Sequence, residues 1–151
     1  MKAVLQRVTG AAVAVAGEEV ARIGKGMLVF LGVARDDDQD DLEFLADKVV
    51  NLRIFEDDEG KMNHSLFDIG GQMLVVSQFT LLADCTKGRR PSFFSAMAPE
   101  QADLMVQEFV NFIRTRGIKV QQGVFGATME VSLQNQGPVT IELDSSVLRK
   151  R

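Results

Sequence analysis

The segment Met27-Leu28-Val29-Phe30-Leu31-Gly32-Val33, introduced by Gly24-Lys25-Gly26, is a continuous apolar run. Its length suits a strand buried on both faces. It is far below the ~18 apolar residues that a membrane span needs. Around it, residues 4–8, 11–16 and 19–23 are short, carry β-branched side chains and are punctuated by Gly10 and Gly17, so they read as strands. Residues 53–55, 72–79, 119–122, 128–133 and 139–143 read the same way. Two stretches switch to helical spacing. The acidic run Asp36-Asp37-Asp38-Gln39-Asp40-Asp41 opens the first, where carboxylates cap free N–H groups and complement the dipole. Leu42, Leu45, Ala46, Val49 and Leu52 form its apolar face. Pro99 starts the second helix and Gly117 closes it, with Ala102, Met105, Phe109, Phe112 and Ile113 between. This order is mostly strands with two inserted helices, not a regular βαβ alternation. It predicts an α+β fold: a curled, mixed or antiparallel, barrel-like sheet with two main helices.

The 151 residues are expected to form a single domain over 1–151. The basic end of residues 144–151 is either a flexible tail or an RNA contact. An apolar share of 46% and a charged share of 25% describe an ordinary folded globule and exclude whole-chain disorder. The net charge of −4 excludes bulk attraction to nucleic acid, so an RNA partner must be met by a local patch. Lys87, Arg89 and Arg90 form one candidate patch, and Arg149-Lys150-Arg151 another. Cys85 is the single cysteine, so no intramolecular disulfide forms. With no secretory signal visible, the expected location is the cytoplasm, with no membrane association.

Most reactive-looking residues have plain explanations. His64, the one histidine, lies in Met62-Asn63-His64-Ser65, which reads as an exposed turn. One histidine and one cysteine cannot make a common zinc set. Asp36, Asp38 and Asp40 have calcium-loop spacing, but Asp41 and Asp47 replace the required glycine and glutamate. Cys85 lacks an evident base.

Two segments carry more. Ser77-Gln78-Phe79-Thr80 ends a buried strand and enters a polar loop, and free backbone N–H groups gather where a strand stops pairing. Such groups can hold a developing oxyanion; an ordinary strand end is the alternative. Asn135-Gln136-Gly137-Pro138-Val139-Thr140 reads as a turn between strands, although glycine permits close approach and proline permits a cis bond.

Both segments sit in a longer frame. It includes Gln6-Arg7-Val8, Ile23-Gly24-Lys25-Gly26, Leu31-Gly32-Val33, Gly60-Lys61-Met62-Asn63 and Val75-Val76-Ser77-Gln78-Phe79-Thr80-Leu81. Ala83-Asp84, Arg90-Pro91-Ser92-Phe93, Phe125-Gly126-Ala127, Met129 and the Gly137-Pro138 segment continue it. In this order and spacing the chain resembles the D-aminoacyl-tRNA deacylase family (also called D-tyrosyl-tRNA deacylases) over nearly its whole length.

The resemblance implies hydrolysis of the ester joining a D-amino acid to the 3′ end of tRNA, with glycyl-tRNA as a further substrate. It implies a homodimer with active sites at the subunit interface; from the residues themselves, neither cofactor nor metal is expected. Ser77, Gln78, Phe79 and Thr80 would line the catalytic site. A cis Gly137-Pro138 pair, inserted from the other subunit, would reject L-aminoacyl-tRNA. Met129 and Phe125 match positions near the pocket. An aminoacyl ester is already reactive, so backbone N–H groups near Phe79 and Thr80, aided by the tRNA 2′-hydroxyl, would suffice without a strong nucleophile. Two alternatives stay open: a non-catalytic RNA- or protein-binding module of the same fold, and a covalent esterase using Thr80 or Cys85.

Overall fold

A computed structural model describes residues 1–149. Strand β1, Lys2–Val15, organises the sheet. It does not break at Gly10, where the sequence predicts a boundary; Gly10 pairs with Gln134 just past a one-residue register shift that leaves Thr9 unmatched, and the strand continues through it. Two strands share one edge of β1. Strand β2, Glu18–Ile23, pairs antiparallel with its second half, and β3, Gly26–Gly32, with its first half. Strands β6, Gln72–Ser77, and β7, Lys119–Gln122, extend the sheet in parallel, giving the order β2-β1-β3-β6-β7. Strand β8, Met129–Asp144, runs antiparallel along the other edge of β1. The sheet curls until Arg22 N of β2 donates to Gln121 Oε1 of β7 at 3.2 Å, so it nearly closes. The expected curled mixed sheet is therefore present.

The apolar run does what its composition predicts. Met27, Val29 and Leu31 face a core shared with the helices, while Leu28 faces a second core with Val8, Val13, Ile23, Leu74 and Val76. Helix α1, Gln39–Asn51, is capped by Asp38, and its Leu42, Leu45, Ala46 and Val49 are buried. The cap is reciprocal: Asp41 N donates to Asp38 Oδ1 at 3.0 Å, and Asp38 N to Asp41 Oδ2 at 3.1 Å. Helix α2, Pro99–Thr115, buries Ala102, Val106, Phe109, Val110 and Ile113 against the same core, with Met105 and Phe112 packed at its margin.

Three further expectations are corrected. Met62–His64, read as part of a turn, is strand β5, paired with β4, Phe55–Glu56. The stretches 128–133 and 139–143, read as separate strands, form one strand, β8, which starts at Met129. The register jumps from Val8↔Asn135 to Gln6↔Thr140, so residues 136–139 bulge out while β1 holds both flanks. Proline, which has no N–H to donate, fits at a bulge. Finally, the described part of the C-terminal tail is folded. Ser145–Leu148 forms α3, and Ser145 N donates to Met1 O at 2.8 Å. Arg149 reaches Asp41 Oδ1 at 2.8 Å and also pairs with Asp38 and Asp40 at 3.3 Å. Lys150 and Arg151 lie outside the described residues. No described helix is long and apolar enough to cross a membrane.

Candidate active site

Strands β3 and β6 run in parallel and finish together, with Leu31 opposite Ser77. The chain leaves the sheet there. Gln78 N donates to Leu31 O at 2.7 Å, and Phe79–Leu82 then closes a 3-10 turn in which Leu81 N donates to Gln78 O at 3.2 Å. The first N–H groups of any helical turn have no partner within it. Gln78 makes no side-chain cap; its Nε2 donates sideways to Thr80 Oγ1. The N–H groups of Phe79 and Thr80 therefore begin the turn without an internal acceptor.

The turn lies directly on the end of β3. A Cβ at Gly32 would stand 2.7 Å from Leu82 Cδ2 and 2.9 Å from Gln78 O. Only a glycine lets the backbone approach this closely.

Beside this turn opens a cavity of about 570 Å³, a size that fits a nucleoside carrying a small acyl group. It is lined by the strand ends Leu31 and Ser77, by Pro99, Ala102 and Val106 of α2, and by Phe125, Met129 and Val131. Phe79 and Phe93 stand at the mouth in an edge-to-face pair, with centroids 5.0 Å apart and planes at 71°. No wall residue is ionisable.

The structure brings together five of the residues singled out from sequence: Ser77, Gln78, Phe79, Phe125 and Met129 all line this cavity. Thr80 is exposed, one residue beyond the wall. Its hydroxyl is engaged by the Gln78 amide, which is not a base. Cys85 is an exposed free thiol outside the wall, and His64 pairs with Phe55 in the small hairpin.

Gly137 and Pro138 are joined by a cis peptide bond, and both are exposed. Neither lines the cavity of its own chain. Their bulge is braced from below. Arg7 is 4% exposed, and its guanidinium donates to Ile54 O at 2.8 Å and Gln136 O at 3.3 Å. Its Nη2 also lies 3.7 Å from Glu56 Oε1. Thr140 Oγ1 donates to Gln6 Oε1. In the amide orientation that satisfies its neighbours, Asn135 donates to the carbonyls of Arg7 and Val139 at 3.2 Å.

Sequence reasoning gave Arg7 no role of its own, though a signal existed. Arg7 follows Ala3 and Leu5 on the inward phase of β1, and a charge in that phase needs a buried partner. Gly32 and the α2 residues that line the cavity had no such signal, because their roles depend on what packs against them.

Comparison with known proteins gives the family and the fold. Residues 4–144 match the family model described as D-Tyr-tRNA(Tyr) deacylase. A D-aminoacyl-tRNA deacylase of Desulfatibacillum aliphaticivorans is 59% identical over 96% of this chain and 99% of its own length. One of Syntrophus aciditrophicus is 58% identical over 98% and 99%. Among solved structures, the c-Myc DNA unwinding element binding protein superposes with a TM-score of 0.90 at 46% identity, over 95% of this chain and 98% of that one. A structure described as a probable eukaryotic D-amino acid tRNA deacylase shares the fold, with a TM-score of 0.81 at 21% identity over 94% and 97% of the two chains. With family, relatives and fold in agreement, the chain belongs to the D-aminoacyl-tRNA deacylase family of hydrolases.

Proposed function

We propose that this cavity hydrolyses the ester joining a D-amino acid to the terminal adenosine of tRNA. The observation that carries the reading is the start of a 3-10 turn, with the N–H groups of Phe79 and Thr80, beside an apolar cavity without ionisable walls. The adenosine occupies the apolar space. Water attacks the ester carbonyl, and the two N–H groups hold the oxyanion of the tetrahedral intermediate. One such donor is typically worth about 3 to 4 kcal/mol. The intermediate expels the ribose 3′-oxygen, which takes up a proton, releasing free amino acid and tRNA. No side chain in the wall can serve as base, so the substrate's own 2′-hydroxyl orients and activates the water.

Selectivity comes from the Gly137-Pro138 unit of a partner subunit. The unit is exposed on its own chain, lies outside its own cavity and is braced by Arg7. Seated at the mouth of a second copy's cavity, its carbonyl oxygens accept from the substrate α-ammonium. With the ammonium and ester both fixed, a D side chain points outward and an L side chain meets backbone. Glycine has nothing to collide and is also hydrolysed. This arrangement makes the active unit a homodimer with its sites at the interface, working in the cytoplasm on charged tRNA.

The test is release of amino acid from D-, L- and glycyl-tRNA by the purified protein. D- and glycyl-tRNA should be cleaved and L-aminoacyl-tRNA spared. An intact dimer that releases no D-amino acid would sink the proposal. That result would favour the second reading, a non-catalytic nucleic-acid-binding module, which the DNA-binding name of the 46%-identical neighbour supports.

A further inference from the structure

Phe94 is 74% exposed, more than any other large apolar side chain among the described residues. It is also held in place. Arg35 lies over one face of its ring, with the guanidinium carbon 3.9 Å from the centroid. The backbone of the two segments is clamped: Arg35 N donates to Ser95 O at 2.8 Å, and Met97 N to Val33 O at 3.0 Å. A ring that is fixed in position, covered on one face by a cation and open elsewhere is built to receive a flat partner rather than to fill a core.

Its surroundings indicate the partner. Phe93, the preceding residue, stands at the cavity mouth with Phe79. Consecutive Cα atoms are ~3.8 Å apart, so Phe94 begins where the cavity opens. The same exposed loop carries Lys87, Arg89 and Arg90, which enter none of the ion pairs among the described residues. Asp84, at the loop's start, is exposed and accepts from Thr86 N at 2.9 Å, so the loop carries three cations against one carboxylate. In a chain of net charge −4, this is a local concentration of unpaired cations running on from an aromatic platform. Aromatic faces followed by cations are how proteins hold single-stranded nucleic acid. A second copy of this acidic chain would be a poorer match than a polyanion.

We propose that Phe94, backed by Arg35, is the stacking platform for the nucleotide preceding the terminal adenosine, and that Lys87, Arg89 and Arg90 take the phosphates that follow. This rests on the deacylase reading for the position of the adenosine. It gives the enzyme a way to favour a single-stranded RNA end over a free aminoacyl nucleoside, without a large phosphate-binding surface.

The test measures binding and hydrolysis separately on the full-length protein. Binding is measured by fluorescence anisotropy with an uncharged RNA hairpin bearing a single-stranded CCA end. Hydrolysis is measured on D-aminoacyl-tRNA and on D-aminoacyl-adenosine, which lacks the preceding nucleotide. Phe94→Ala should weaken hairpin binding, and lower kcat/KM on tRNA, by roughly fivefold to a hundredfold, the range for one stacked base. It should leave D-aminoacyl-adenosine hydrolysis unchanged. Phe94→Trp should retain binding, while Phe94→Leu, apolar but not aromatic, should lose it.

Equal losses on both substrates would overturn the platform by showing that Phe94 acts through the cavity. A Phe94→Leu variant as good as wild type would overturn it too, as would a Phe94→Ala protein of altered native mass, which would mark a subunit contact. Normal hairpin binding by Phe94→Ala, with wild-type hydrolysis intact, refutes the platform alone. Phe94-dependent binding by a wild type that releases no D-amino acid refutes the deacylase reading and upholds the platform.

Discussion

Gly32→Ala is the sharpest test of the link between packing and chemistry. The added methyl would sit 2.7 Å from Leu82 Cδ2, 2.9 Å from Gln78 O and 3.1 Å from Leu81 Cβ, where ordinary contact begins at 3.4 Å. Leu82 Cδ2 and Gln78 O must therefore retreat by about half an ångström or more, and Leu81 Cβ by a few tenths. Leu82 can rotate at some cost, being buried. Gln78 O is backbone and accepts the Leu81 N–H that closes the 3-10 turn. Moving it moves the start of the turn, and with it the N–H groups of Phe79 and Thr80. Overpacking of this kind costs about 1–3 kcal/mol of stability. A displacement of ~1 Å at a reacting centre costs about a hundredfold, so a shift half that size should lower kcat by roughly tenfold. KM should change much less, because the apolar cavity walls stay in place. Gly71→Ala is the control. Its methyl is just as crowded, 2.6 Å from Leu66 Cδ1 and 3.0 Å from Ile69 Cδ1, but only flexible side-chain ends must yield, and neither lines the cavity. Steady-state kinetics on D-aminoacyl-tRNA, with urea unfolding alongside, decides the matter. Gly32→Ala with full kcat, or both variants losing activity in proportion to stability, would refute the coupling.

Other consequences can be measured directly. Arg7→Met keeps the buried volume but removes the donors to Gln136 O and Ile54 O, each charged hydrogen bond being worth about 1.5–3 kcal/mol. The D/L ratio of kcat/KM should fall several-fold while the D-substrate rate falls less, and an unchanged ratio in a folded variant would disconnect Arg7 from selectivity. Cys85→Ala should match wild type in activity and lie within about 0.5 kcal/mol in stability, because the thiol is exposed and outside the cavity wall; lost activity would revive the covalent esterase. Acid should loosen the clasp between α1 and the C-terminal segment. Burial pushes the Asp41 carboxyl up, but the Asp38 N–H and Arg149 outweigh it and hold it at about 2 against an ordinary 3.8. The lowered value means stability is present above about pH 4 and lost as pH falls toward 2, by about 2 kcal/mol. Urea titrations of wild type and Asp41→Asn should therefore converge over that window, and a gap that stays constant would refute the assignment.

The residues that were legible in the sequence share a physical property: their roles are set by local pattern. The run from Met27 to Val33 is buried on both faces because no polar side chain interrupts it, and that can be read without knowing its neighbours. The α1 cap and the Pro99 start of α2 are likewise decided within one turn. Residues 136–139 show the opposite case. Gly-Pro carries a turn signal, and locally the chain does depart from the ladder. Yet β1 is 14 residues long and holds β8 on both sides of the departure, so pairing over a distance converts a turn between strands into a bulge within one. The candidate site lies between these extremes. Ser77 to Thr80 could be picked out as a strand end, but what makes a strand end useful is the surface it faces. That surface comes from α2, Phe125 and Met129, and the turn can sit there because Gly32 has no side chain. Side-chain identity thus locates the segment, while distant packing decides whether its backbone N–H groups meet solvent or substrate. A site built from backbone donors and apolar walls therefore leaves little local trace, and substitutions beneath the turn should disturb catalysis more than changes to any polar side chain around the mouth.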